Sequence, residues 1–272
     1  MRLPVWETPR TMITFTTGRK TVLTAAAIAV ALATLSGCEG APGGTAAPAA
    51  TSASPAPESA PPSAVPTTAG AFSPEQAVAE AEKTAYASTI TFNSSAAGRH
   101  ISTMTGRINH NVPFTGRSEI RTPDDVPASQ AMWMETVTTP DANYVRNRLQ
   151  EGSGWRKTPR AEDNEANYAG YAKLLLTLGP SALKGMEEQG GIPTFHLAGR
   201  LDVNQVASVD PRTYRSMKAK GVTGFDIDQW VDSQGRTVRF EQRLEMRGIP
   251  AVNIGTFSDF GPVEEFNAPS GG

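Results

Sequence analysis

GFDIDQWVDSQGRTVRFEQRLEM, residues 224–246, carries two apolar alternations on either side of a turn. Phe225, Ile227 and Val231 alternate with Asp226, Asp228 and Asp232, while Val238, Phe240, Leu244 and Met246 alternate with Arg239, Arg243 and Arg247. A period of two gives each segment one wet and one dry face, the pattern of an antiparallel sheet covered on one side. A two-residue Gln234-Gly235 turn, or a four-residue loop in the same register, sets Val231 against Val238, Phe225 against Leu244 and Trp230 against Arg239. A three-residue loop would face Val231 with Thr237 and part the apolar sets, so the core specifies the register.

The same pattern extends in both directions. Ile249 to Phe257 adds a strand, and Phe195 to Val203 reads as another. Upstream, short runs rich in Thr, Ile, Val and Phe cover 88–95, 101–112, 114–121, 130–138 and 143–149, with a turn at Pro140-Asp141-Ala142-Asn143, an antiparallel meander. Ser73-Pro74-Glu75-Gln76 reads as a helix start, with Ser as N-cap, Pro at the first position and Gln three residues on, and this helix runs to about Tyr86. Tyr168, Tyr171, Leu174, Leu175 and Leu178 share a helix face that Gly179-Pro180 ends. A short helix is expected between Ser181 and Gln189, and Asp210-Pro211 caps another that carries Tyr214 and Met217 and ends at Gly221. The expected fold class is α+β, a large antiparallel sheet covered on one side by helices, over residues 73–272.

The N-terminal region reads differently. Arg19-Lys20 precedes an apolar stretch from Val22 to Leu35, the length of a secretory h-region and too short to span a bilayer comfortably. It ends in Leu35-Ser36-Gly37-Cys38, which resembles the bacterial lipobox. By that resemblance residues 1–37 are a lipoprotein signal peptide, Cys38 is the lipid attachment site, and the protein sits on the outer face of the cytoplasmic membrane. Two acyl chains meet the requirement for stable anchoring. A start at Met12 would leave a more compact n-region than Met1. Residues 38–72 form the lipidated Cys and a linker of Ala, Pro, Ser, Thr and Gly that cannot bury enough surface to order itself. Such a linker reaches on the order of 30 Å as a coil.

The whole chain has 272 residues, with 25 Lys and Arg against 27 Asp and Glu. The folded part, 73–269, has 21 against 24, a formal charge of −3. No basic stripe marks a nucleic-acid partner. One Cys excludes an internal disulfide and a Cys-rich zinc site. Neither a G-x-S-x-G elbow, a P-loop, a dinucleotide fingerprint nor an H-E-x-x-H helix occurs. His100, His110 and His196 are scattered through strands or their ends, and the acidic pairs Asp124-Asp125, Glu187-Glu188 and Glu264-Glu265 lie in surface contexts. No enzyme activity, metal or cofactor is expected.

Beyond the lipobox, Asn143-Tyr144-Val145-Arg146, Gly154-Trp155-Arg156-Lys157, the run Gln229 to Arg236, Phe257 to Val263 and Ala268-Pro269 stand in an order that resembles the actinobacterial lipid-carrying lipoproteins of the LppX/LprG group, relatives of the LolA/LolB carriers. The resemblance implies a half-barrel sheet closed by helices around an apolar cavity for lipid or lipoglycan acyl chains, without catalysis. It assigns no cavity residue by motif.

Apolar patterning alone selects Met132, Met134, Tyr171, Leu174, Leu175, Leu178, Phe195, Leu197, Tyr214 and Met217 as the cavity lining. Met adapts to irregular shapes and so suits acyl chains. The expected function is therefore a membrane-anchored lipoprotein that binds or transfers lipid. The alternative is a non-enzymatic interaction or sensor module of the cell envelope, whose core the same residues fill.

Overall fold

The computed structural model describes residues 72–160 and 167–271. The apolar stretch, Met12, Cys38 and all of the linker up to residue 71 lie outside the described residues. Helix α1 (Pro74–Ala81) begins where Ser73 accepts a hydrogen bond from the Gln76 N–H at 3.3 Å. It stops short of Tyr86, which opens the first strand instead of closing the helix.

Six strands follow as a meander: β1 (Tyr86–Ala96), β2 (Arg99–His110), β3 (Gly116–Arg121), β4 (Trp133–Thr138), β5 (Ala142–Asn147) and the short β6 (Arg156–Pro159). Helix α2 (Tyr168–Leu176) crosses to β7 (Leu183–Gln189) and β8 (Ile192–Asp202). Helix α3 (Pro211–Ala219) then leads into β9 (Gly224–Asp232), β10 (Thr237–Met246) and β11 (Ile249–Gly261). The eleven strands of the described residues form one antiparallel sheet in the order β6-β5-β4-β3-β2-β1-β11-β10-β9-β8-β7.

The helix expected over 181–189 is instead a single 3-10 turn followed by β7. Gly190 and Gly191, at φ +59° and +82°, supply a tight reversal that folds 183–189 back on β8, and long-range pairing overrides the weak helical pattern.

The β9–β10 hairpin keeps Trp230 opposite Arg239 and Phe225 opposite Leu244, but not Val231 opposite Val238. The connection is the three-residue one: the Gly235 N–H donates to the Asp232 carbonyl at 2.8 Å, Gly235 takes φ +72°, and Val231 faces Thr237. A bulge at Val238 absorbs the extra residue and restores the register before Arg239. Gly235 also lies directly beneath α1, where a Cβ would fall 2.0 Å from the Ala77 carbonyl oxygen.

Alternation divides the sheet into two faces. The inner face, toward the helices, carries Phe225, Ile227, Val231, Phe240, Leu244, Ala251, Phe257, Ile90 and Phe92, all buried in one cluster with α2 residues and Met217 of α3. The outer face carries Trp230, Trp133, Tyr144 and most charged residues.

Candidate functional site

Helix α2 builds the site. Asn167 caps it by accepting from the Gly170 N–H at 2.7 Å. Its apolar face then presents Tyr168, Tyr171, Leu175 and, past its end, Leu178 to the inner face of β8–β10. Leu178 lies directly against Gly199 of β8, where a Cβ would fall 2.4 Å from its Cδ1. Tyr168 packs edge-on against Phe240 and Phe257, with centroids 5.5 and 4.8 Å away, and Tyr171 meets Phe240 at 5.6 Å. Phe92 lies across Gly255 and meets Phe257 at 5.8 Å. Of this aromatic floor, the alternation of the sequence puts Phe240 on the dry face with Leu244 and the helix spacing puts Tyr168 beside Tyr171, but only Tyr171 was selected for the lining.

Of the ten residues selected for the lining, Tyr171, Leu175, Leu197 and Met217 are buried in this cluster, and Leu174, Leu178, Phe195 and Tyr214 pack against it. Phe195 also meets Phe72 at 6.4 Å, where the chain enters the domain. Met132 and Met134 are not brought to the same place. Met134 lies on the inner face of β4, in a row that runs across paired strands from Phe92 through Met104 and Ile120. Met104, Ile120, Met132 and Met134 are only half-buried.

Polar groups interrupt the inner face. Ser94 donates to Asn253 at 2.9 Å, and Asn253 donates to Gln242 at 3.1 Å, a chain across β1, β11 and β10. Fully buried Gln229 donates to the Tyr168 carbonyl and to Thr237 at 2.8 and 2.7 Å, while its Oε1 has no partner among the described residues. The Tyr171 hydroxyl donates to Asp210 at 3.3 Å. Burial, and then the nearby Asp210 charge, hold the Tyr171 phenol well above its ordinary range, so it stays a neutral donor. Burial likewise pushes the Asp210 carboxyl up.

Two open cavities flank the cluster. One of about 390 Å³ lies beside Asn109, His110, Phe114 and Asn167, and one of about 550 Å³ lies between α1 and the β9–β10 turn, beside Tyr86 and Arg236. Neither is lined by any of the ten residues. The three histidines are separate: His110 is buried beside Tyr86, His196 lies on the outer face between Glu187 and Asp228, and His100 is exposed at the start of β2. Among the described residues no helix is long and apolar enough to cross a membrane.

No family model matches this chain, and no curated protein matches it. Solved structures do. LprF from Mycobacterium bovis aligns over 72% of this chain and 96% of its own, at 12% identity and a TM-score of 0.46. The lipoprotein LppX from Mycobacterium tuberculosis aligns over 70% and 95%, at 14% identity and a TM-score of 0.41. A LolA superfamily protein from Nitrosomonas europaea aligns over 74% and 96%, at 9% identity and a TM-score of 0.26.

Proposed function

We propose that this chain is an extracytoplasmic lipoprotein, anchored through lipidated Cys38, whose domain takes up lipid or lipoglycan acyl chains on the inner face of its sheet without catalysing a reaction. One observation carries the reading: the apolar row continues from buried Phe92 and from Met104, which packs against the core cluster, to half-buried Ile120 and Met134, which lie beyond it. An eleven-stranded sheet is roughly 50 Å wide, whereas helices of eight or nine residues are about 12–14 Å long. Among the described residues the helices are therefore too short to cover the whole inner face, and the part beyond them carries Ile120 and Met134, the latter a side chain that adapts to alkyl chains. The lipobox-like Leu35 to Cys38 supports the anchor.

A second reading has its own support. Tyr171, Leu175, Leu197 and Met217 are buried, and Leu178 leaves no room over Gly199, as a dry core requires. On that reading the domain is an interaction module. Native mass spectrometry with solvent extraction, on protein exported in an actinobacterial host without detergent, separates the two. A stoichiometric co-purified lipid is expected. Bare protein that also refuses a fluorescent fatty acid would leave the interaction module. For the anchor, Cys38→Ser should abolish detergent partitioning, and unchanged partitioning would overturn the assignment.

A further inference from the structure

Strand β7, at one edge of the sheet, holds two of the exposed large apolar side chains of the described residues, Leu183 and Met186, each 37% exposed. The pairing with β8 puts both on the inner face. Leu183 lies opposite Leu197, which is buried in the core cluster, and Met186 lies opposite Phe195, which packs against it. A bulge makes this possible: Lys184 is an extra residue between Leu183 and Gly185, Gly185 takes φ +108°, and the two apolar side chains return to one side. On the outer side the strand is tied down, because Glu187 accepts from the Trp230 indole at 2.8 Å and lies 2.8 Å from His196. On the inner side Leu183 and Met186 stay open to solvent, continuous through Phe195 with the buried cluster.

Phe72 meets Phe195 at 6.4 Å, so the chain enters the domain beside the residue that pairs with Met186. The linker of residues 39–71, which leads back to Cys38, therefore joins the domain at this apolar margin. Charge draws no anion to it, since β7 carries one cation, Lys184, against Glu187 and Glu188. The bulge also spoils the regular edge that a strand of a second copy would need. What the margin offers is apolar side-chain surface at the point of attachment, and on the anchored reading the surface at the other end of that attachment is a bilayer.

We propose that the β7 margin of the inner face, with Leu183 and Met186 in front and Phe195 and Phe72 behind, rests against the interfacial layer of the bilayer that holds the chain's own anchor. The proposal rests on the anchored-lipoprotein reading, though not on acyl-chain uptake. Two partly exposed side chains are too little to hold a free domain on a membrane, but a flexible tether raises the local concentration to the order of millimolar, enough to populate a weak apolar contact. Cys38 is the one cysteine of the chain, so Met186→Cys gives a single free thiol once the anchor is formed. The lipidated chain, labelled there with the fluorophore NBD, is placed on phosphatidylcholine vesicles. Lys157→Cys on β6, at the other edge of the sheet, is the control, and residues 38–272 with Cys38→Ser give the emission in solution. The label at position 186 should shift to the blue on vesicles and be quenched by a spin-labelled lipid, at low and high salt alike, while position 157 reads as in solution. Leu183→Asp should cancel the shift at position 186.

A chain that floats with the vesicles while position 186 reads as in solution overturns the docking and leaves the anchor standing. A chain that does not float overturns both. Equal shifts at positions 186 and 157 also overturn the docking, as does a blue shift at 186 that the spin-labelled lipid fails to quench, which would put a second copy of the chain on this margin.

Discussion

His110 is buried with its ring stacked on Tyr86 at 4.5 Å and its Nε2 2.7 Å from the Ser88 hydroxyl. Burial, and then the charge of Arg107, push its pKa down to about 4. The folded protein therefore holds it neutral, while the unfolded chain takes up a proton below about 6.5. The stabilisation is complete above pH 6.5 and is lost as pH falls from there to about 4, a loss on the order of 3 kcal/mol. Urea unfolding at pH 7.5 and 5 should show the larger part of this loss, about 2 kcal/mol, in the wild type and a flatter dependence in His110→Gln. Asp210, pushed up by burial, contributes with the opposite sign, so the difference between the two proteins isolates His110. A slope unchanged by the substitution would refute the assignment. A second residue-scale outcome concerns the aromatic floor. In Gly255→Ala the new methyl would meet the Phe92 ring at about 2.4 Å, and overpacking of this kind costs roughly 1–3 kcal/mol in chemical denaturation.

Among the elements, α3 offers a clean test of what starts a helix. Asp210 accepts from the Thr213 N–H at 2.8 Å and from the Tyr171 hydroxyl, tying α3 to α2. Asp210→Ala should destabilise the domain by about 1–2 kcal/mol, and Asp210→Asn, which keeps the cap acceptor, by much less. Equal losses in urea titrations would mean that the carboxylate charge, not the cap, matters. The β9–β10 hairpin shows how far sequence carries an element. Parity put Phe225 opposite Leu244 correctly, because the core tolerates only one pairing there. The turn escaped, because Gly235 answers to a distant constraint, the backbone of α1 lying on it. Strand β7 escaped for a similar reason: Leu183 and Met186 become strand residues only through β8, while β6 is too short and too polar to show a period.

Across the whole molecule, the candidate lining was legible where it is local and illegible where it depends on distance. Spacing identified Tyr171, Leu174, Leu175 and Leu178 as one face, and that face does meet the inner sheet at β8. For Met132 and Met134 the alternation gives at most a face, and only the pairing of β1 with β11 sets how far β4 lies from α2. If acyl chains occupy this inner face, a fatty acid at a hundredfold excess over its Kd should stabilise the domain by about 2.7 kcal/mol. Met134→Asp should abolish that gain while leaving the ligand-free melt nearly unchanged. No stabilisation of the wild type would favour the dry core.

The pairing of β1 with β11 sits at the centre of the sheet, so its middle seam joins residues 87–96 to residues 251–261. Contacts so far apart in sequence close slowly, and none of them can form until the final strand is available. During synthesis the N-terminal meander waits with a raw central edge, and the aromatic floor lacks Phe257. A chain built this way stays open to threading until residues 251–261 can pair, and only then does it commit to its native state.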